Sequence, residues 1–210
     1  MSRQQKRTPQ HVLPRGPSGR LSYALMHLMH KDIYDNVAAL AALGPDDVLL
    51  DIACGDGHFL EKYASHASRV AGLDLSQLGV DRASRRLADR VASGKAELVC
   101  SDASRLPWRD GEFSVVTEMG TLPVFPAPED TLREICRVLR PKGRAVLCIA
   151  WNAEDGKDHS KHTRKYGYRV WSEADVLTMF RQAGFASVDI TYATADGMPK
   201  MMLVTAKKEG

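Results

Sequence analysis

Val48-Leu49-Leu50-Asp51-Ile52-Ala53-Cys54-Gly55-Asp56-Gly57-His58-Phe59-Leu60 decides how the chain is read. An apolar β-type run ends at an acid, passes through a turn with two glycines, and enters a spacing that suits a helix. That order describes a strand–turn–helix corner, the place where open α/β sheets take nucleotides. Glycine at 55 and 57 lets a ligand approach the backbone without meeting a Cβ. The helix behind the turn would direct free N–H groups and the positive end of its dipole at an anion. The dinucleotide fingerprint G-x-G-x-x-G needs a third glycine where Leu60 stands, so a pyrophosphate is disfavoured. A glycine-bearing turn that holds no ligand is the other reading of these residues.

The stretches that follow repeat the pattern. Arg69-Val70-Ala71-Gly72-Leu73-Asp74 reads as a short buried parallel strand ending in an acid. Asp74 falls 19 positions after Gly55, which suits a carboxylate accepting from both hydroxyls of a ribose. A helix N-cap is its other role, weakened because Ser76 can cap the next helix, expected over 76–92. Glu97 to Cys100 is a third strand leading to Ser101-Asp102-Ala103. An acid and a small residue at a strand's carboxyl end can clasp an adenine. The Asp102 side chain would accept from the exocyclic amine, and the Ala103 N–H would donate to a ring nitrogen. Phe113 to Thr117 is a fourth strand running into Glu118-Met119-Gly120, followed by a helix over 129–139. Arg144 to Trp151, nearly all apolar, is a central fifth strand. A polar stretch over 152–169 precedes a helix over 172–183, with Ser172 at its start and Gly184 at its end. Val188 to Ala193 and Lys200 to Ala206, joined by Asp196-Gly197-Met198-Pro199, predict an antiparallel hairpin. The whole predicts an α/β fold built on a doubly wound, seven-stranded, mostly parallel sheet, with no internal repeat and no second domain.

Upstream, apolar residues recur at helical spacing from Leu21 to Leu43, so one or two helices precede the sheet. Tyr23, His27, His30 and Tyr34 lie among them. Residues 1–20 are basic and interrupted by Pro9, Pro14 and Pro17, and are expected to form a flexible arm. Contact with nucleic acid is the arm's other reading, though no aromatics are interleaved with its charges. The chain therefore divides into an arm, 1–20, and one domain, 21–210. Its 210 residues are 44% hydrophobic, enough for a single core, and a net charge of +3 does not argue for nucleic acid or an anionic membrane. Cys54, Cys100, Cys136 and Cys148 form no C-x-x-C pair. They predict buried free thiols in a reducing cytosol, hence a cytoplasmic protein. No apolar run reaches the roughly 18 residues of a membrane span, and no membrane partner is expected.

In order and spacing these segments resemble the class I S-adenosylmethionine (SAM)-dependent methyltransferases over about residues 21–207. Asp51-x-Ala53-x-Gly55-x-Gly57 is similar to that family's first motif. Leu106-Pro107-Trp108 and Asp110-Gly111-Glu112-Phe113-Ser114 are similar to its stretch before strand four, with Ser114 where an acid is usual. Glu134-x-x-Arg137-Val138-Leu139-Arg140-Pro141-x-Gly143 is similar to its segment before strand five. The resemblance implies the sheet order 3-2-1-4-5-7-6, with SAM lying across strands one to four and S-adenosylhomocysteine (SAH) as product. It implies that Asp51, Gly55 and Gly57 frame the methionine end, with Ala53 where a glycine is frequent. It further implies that Asp74 holds the ribose, that Leu75 packs on the adenine, and that Asp102 and Ala103 take the adenine edge. Glu118 and Met119 would lie under the sulfonium and the incoming acceptor.

Such an enzyme aligns an acceptor lone pair with the S–CH3 bond and removes a proton when the acceptor is a hydroxyl or an acidic carbon. Candidates for the base are His27, His30 and Tyr34 in the N-terminal helices, and His159 and His162 after strand five. Each also reads as an ordinary surface or helix-face residue. Asp155, Asp158, His159 and His162 are loosely spaced, and no metal site is expected. The expected acceptor is a small molecule with an O, N or C nucleophile, in a pocket walled by Tyr23, Tyr34, Trp151 and Tyr166. An RNA- or ribosome-directed methyltransferase is an alternative. It is disfavoured because Glu118-Met119-Gly120-Thr121 stands where base-amine methylases carry an Asn/Asp-Pro-Pro-aromatic run. A non-catalytic SAM- or nucleotide-binding partner protein is the third reading. The oligomeric state is not legible.

Overall fold

Runs that are apolar at nearly every position become the middle of the sheet, because both faces of those strands are covered. The computed structural model describes residues 32–194 and 200–210, with the backbone alone at His162 and Tyr166. The strands are β1 (Val48–Ile52), β2 (Arg69–Asp74), β3 (Ala96–Cys100), β4 (Phe113–Met119), β5 (Leu139–Ile149), β6 (Phe185–Ala193) and β7 (Met201–Lys208). They form one seven-stranded sheet in the order β3-β2-β1-β4-β5-β7-β6. β1 to β5 are joined in parallel, and β7 lies antiparallel between β5 and β6. This is the expected order, and the hairpin is present, although Asp196 to Pro199 lie outside the described residues.

Alternation along the strands divides the core in two. Leu49, Val70, Val115, Val146 and Cys148 pack on one face against α1 (32–41) and α2 (His58–Tyr63). Leu50, Ile52, Val116, Leu147 and Ile149 pack on the other against α5 (Pro128–Val138) and α7 (Glu173–Gln182). In α1 the buried residues Ile33, Val37 and Ala41 recur every four positions, the stripe of a helix laid on a sheet. Arg144 of β5 fixes the end of that helix. Its guanidinium donates to the carbonyls of Ala41 at 2.6 Å and Ala42 at 3.0 Å and to the Asp47 carboxylate at 2.7 Å. In α5, Leu132, Ile135 and Val138 are fully buried, each worth roughly 1.5–3 kcal/mol relative to exposure. Helix α7 begins with a reciprocal capping box between Ser172 and Asp175. Of the predicted N-terminal helices, only the part over 32–41 falls within the described residues; the arm 1–20 lies outside them, as do Tyr23, His27 and His30.

Several expected boundaries move, each for a local reason. The helix over 76–92 is two helices, α3 (Gln77–Arg86) and α4 (Ala88–Ala92), parted at Leu87, which takes φ −103° and ψ 24° and buries its side chain. β5 starts at Leu139 rather than Arg144, because Leu139 pairs with Phe113 before the register shifts at Val115–Arg144. Residues 140–143 form the intervening bulge, where a Cβ on Gly143 would stand 2.8 Å from the Arg140 carbonyl. The polar stretch over 152–169 contains α6 (Ser160–Tyr166), which no apolar stripe announced. Cys54, Cys136 and Cys148 are buried as expected, but Cys100 is exposed, since it ends an edge strand. Among the described residues no helix is long and apolar enough to cross a membrane.

Candidate functional site

The strand order reverses direction between β1 and β4, and the carboxyl ends of those strands open the crevice in which such sheets bind ligands. At the end of β1 the chain passes through three left-handed residues, Ala53 (φ 55°), Gly55 (φ 57°) and Gly57 (φ 81°). Asp74, buried at the end of β2, holds this turn. Its Oδ2 accepts the Gly55 N–H at 2.9 Å and its Oδ1 accepts the Ser76 N–H at 2.7 Å. Each oxygen keeps a second lone pair. Burial raises the Asp74 carboxyl above its ordinary range, and these two N–H donors oppose the rise.

Gly57 also has a packing role: a Cβ there would lie 2.9 Å from the Ala83 Cβ, so glycine lets α3 pack against the turn. The helix behind the turn is short, with six α-helical residues followed by a 3-10 turn over Ala64–His66.

Two further buried carboxylates, Asp51 and Glu118, stand at the crevice. Asp51 Oδ1 accepts from the Thr117 hydroxyl at 2.7 Å, while Oδ2 has no hydrogen-bond partner. Burial, and then the neighbouring Glu118 and Asp74, push Asp51 up to about 8. Glu118 Oε1 accepts the Thr121 N–H at 2.5 Å, the Leu122 N–H at 3.0 Å and the Thr121 hydroxyl. Glu118 Oε2 has no partner, and burial pushes this carboxyl up to about 7. Met119 follows, half-buried. Tyr34 reaches this end of the sheet from α1, edge-on to Phe59 at 5.9 Å. Burial, and the charges of Asp51 and Asp56, raise its phenol above the ordinary tyrosine value.

At the ends of β2 and β3 the surface changes character. Leu75 is 40% exposed, one of two large hydrophobic side chains left open among the described residues. Ala103 is buried and Asp102 exposed, with Asp102 Oδ1 accepting the N–H and hydroxyl of Ser104, both at 2.8 Å. The Cys100 thiol donates to the Leu75 carbonyl at 3.6 Å. Asp51, Gly55, Asp74 and Glu118 are thus gathered at the β1–β4 opening, with Leu75, Asp102 and Ala103 at the next strand ends.

The far side is built from loops. His159 Nε2 lies 2.9 Å from both carboxylate oxygens of Asp155, and both side chains are almost wholly enclosed. Trp151 meets the His159 ring edge-on at 5.2 Å and packs on Tyr168 at 5.4 Å. Asn152 donates to the carbonyls of Lys200 at 2.8 Å and Ile149 at 3.3 Å. Arg169 donates its N–H to the Pro123 carbonyl at 3.0 Å and its guanidinium to the carbonyls of Phe125 and Pro126. The segment after β5 is thereby docked on the segment after β4. His162 lies in α6, and only its backbone is described, as for the predicted wall residue Tyr166. Among the described residues no three His, Cys, Asp or Glu side chains gather as a metal cluster.

One cluster escaped the sequence reading. Arg82 Nη2 donates to Asp56 Oδ2 at 3.2 Å, and Arg86 Nε donates to the Asp56 carbonyl at 3.0 Å, tying α3 to the glycine turn. Two arginines four positions apart on one helix face were its signal.

Comparison with known proteins gives these features a setting. Residues 50–147 match the family described as Methyltransferase domain. A ubiquinone/menaquinone biosynthesis C-methyltransferase UbiE from Ectopseudomonas mendocina is 36% identical over 113 residues, covering 51% of this chain and 43% of that protein. The chain thus spans less than half the length of that relative. The demethylmenaquinone methyltransferase of Lactobacillus johnsonii is 34% identical over 175 residues, covering 69% of this chain and 70% of that protein. The crystal structure of geranyl diphosphate C-methyltransferase from Streptomyces coelicolor A3(2), in complex with Mg2+, geranyl-S-thiolodiphosphate and SAH, shares the fold. It has a TM-score of 0.72 at 18% identity, covering 87% of this chain and 77% of that one.

Proposed function

We propose a small-molecule methyl transfer for this chain on the premise that it belongs to the class I SAM-dependent methyltransferases, whose cofactor is SAM. The observation that carries the reading is the Asp74 clamp. One carboxylate organises the Gly55 turn while an exposed Leu75 stands beside it, which suits a ribose and an apolar base plane together. In this reading the turn from Asp51 and Ala53 to Gly55 takes the methionine end, with Gly57 supporting it from behind. Asp74 takes the ribose hydroxyls on its spare lone pairs. Leu75, Asp102 and Ala103 take the adenine, and Glu118 and Met119 lie beneath the sulfonium.

The sulfonium supplies the activated methyl group. The chain's task is to hold an acceptor in line behind the S–CH3 bond, which supports rate enhancements worth about 7–11 kcal/mol in well-oriented systems. The acceptor lone pair forms the new bond to carbon, and the C–S pair stays on sulfur, leaving SAH. His159 is the base in this reading. Donation of Nε2–H to Asp155 leaves Nδ1 as the proton acceptor, so the dyad fits a hydroxylated or enolisable acceptor better than an amine. The names of the relatives include C-methylation in quinone biosynthesis, which is compatible with such an acceptor. Titration calorimetry with SAM and SAH tests the cofactor. A labelled-methyl screen of phenols, hydroquinones and amines tests the acceptor, with incorporation expected into the hydroxylated rings. Absence of binding by either nucleoside removes the reading.

A further inference from the structure

Glu118 is held in an asymmetric way. One oxygen carries the whole turn, accepting from the Thr121 N–H, the Thr121 hydroxyl and the Leu122 N–H. The other is buried and accepts nothing. Holding the turn does not require a charge, because the oxygen of a glutamine amide, with two lone pairs, could still accept from the Thr121 and Leu122 N–H groups. A buried carboxylate with an orphaned oxygen is costly unless a cation comes to it.

No cation of the protein fills that role at Glu118 among the described residues. The groups that face it are the Thr121 and Leu122 donors of the following turn, the Asp51 carboxyl from β1 and the Cys148 thiol from β5. Asp51 adds a second negative charge when ionised, and Cys148 is kept protonated by burial. Glu118 pairs across the sheet with Ile52, the last pair between β1 and β4, at the point where the strand order reverses. An electron-rich wall at the switch point therefore lacks its positive partner.

SAM and SAH share the adenosine, the amine and the carboxylate. They differ by one methyl and by the positive charge that the methyl places on sulfur. We propose that Glu118 is the residue by which the site tells the charged cofactor from the neutral product: its carboxylate stabilises the sulfonium and has nothing to hold once the methyl has left. Glu118 acts through its field on the bound ligand, with the Thr121–Leu122 turn fixing its position. The proposal rests on the SAM reading above and deepens it, because it makes product release follow from the chemistry itself. In the ligand-free protein burial holds Glu118 near 7. A cation in the crevice would draw it back toward the ionised form, so SAM should bind with release of protons and SAH without.

The test is titration calorimetry with SAM and with SAH, on the whole chain and on Glu118→Gln, near pH 8, where the carboxylate ionises. Glu118→Gln keeps the turn's acceptor and removes the charge. Its SAM dissociation constant should rise about tenfold, equivalent to about 1.4 kcal/mol, while that of SAH stays within about twofold. Equal weakening of both ligands would reduce Glu118 to a turn-holding residue and overturn the proposal, and so would no change in either. If Glu118→Gln does not fold, the unaltered protein carries the test. Its preference for SAM over SAH should grow between about pH 6 and 8 as the acid ionises, and a flat ratio overturns the proposal. If the unaltered protein binds neither ligand, the methyltransferase reading itself falls, an outcome distinct from equal binding without discrimination.

Discussion

The two halves of the crevice are made in different ways. The half at β1, β2 and β3 is organised over short distances by backbone chemistry. Left-handed residues turn the chain, and Asp74 gathers two N–H groups within one hydrogen-bond length. The half beyond β4 and β5 is organised by side chains of distant loops. Arg169 reaches the 123–126 segment, Asn152 reaches Lys200, and His159 is boxed in by Asp155 and Trp151. A backbone-built half suits a ligand that never changes. A loop-built half suits a partner that differs from one enzyme to the next, since loops alter without disturbing the sheet. In the function proposed above, cofactor affinity belongs to the first side and acceptor chemistry to the second.

That division can be broken in measurable ways. The largest effect is expected at the loop side. His159→Gln should lower methyl transfer to a hydroxylated acceptor about a hundredfold while leaving SAM affinity unchanged, as removal of a general base does. Rate and calorimetric measurements on the same preparation decide it, and a parallel loss of SAM binding would erase the division. Next, Asp74→Asn should raise the SAM dissociation constant by about tenfold with the acceptor's KM unchanged. It should also lower stability by about 1–2 kcal/mol, because one of two charge-assisted bonds is lost. Thermal melting beside titration separates the two consequences. A smaller effect sharpens the adenine assignment. Cys100 is the exposed thiol and touches Leu75, so saturating SAM should slow its reaction with a thiol reagent by a few-fold, roughly three or more. An unchanged rate would move the base elsewhere. The smallest effect is at Ala53, whose φ of 55° suits glycine. Ala53→Gly should leave SAM affinity alone and raise stability by at most about 1 kcal/mol, read from the urea midpoint.

The same contrast explains what the sequence could reveal. The alternation of strands and helices follows from short apolar runs between helical stripes, whereas the order of strands in the sheet came only with the family resemblance; Asp51, Asp74 and Asp102 sit at strand ends where an acid after such a run is conspicuous. The β5 boundary was misplaced because Leu139 pairs with Phe113 before a four-residue bulge, and Arg-Pro-Lys-Gly looks like a turn. The close approach of Ala83 to Gly57, from a helix further along the chain, had no local mark in the sequence. The docking of Arg169 on carbonyls some 44 residues earlier had no local mark at all. The pairing of Asp155 with His159 had one, the i,i+4 spacing, but that spacing alone does not distinguish a dyad from two surface groups.

Among the described residues the sheet is also open at both borders, where β3 and β6 each leave a row of peptide groups without a strand neighbour. β3 is five residues long and carries Glu97, whose carboxylate accepts the Trp108 indole N–H at 3.0 Å. β6 is nine residues long, with exposed Asp189 near its middle. Shortness guards one rim and a formal charge guards the other against adding strands from another molecule. Replacing Asp189 with an uncharged β-former would remove that guard and leave the longer rim open to strand addition.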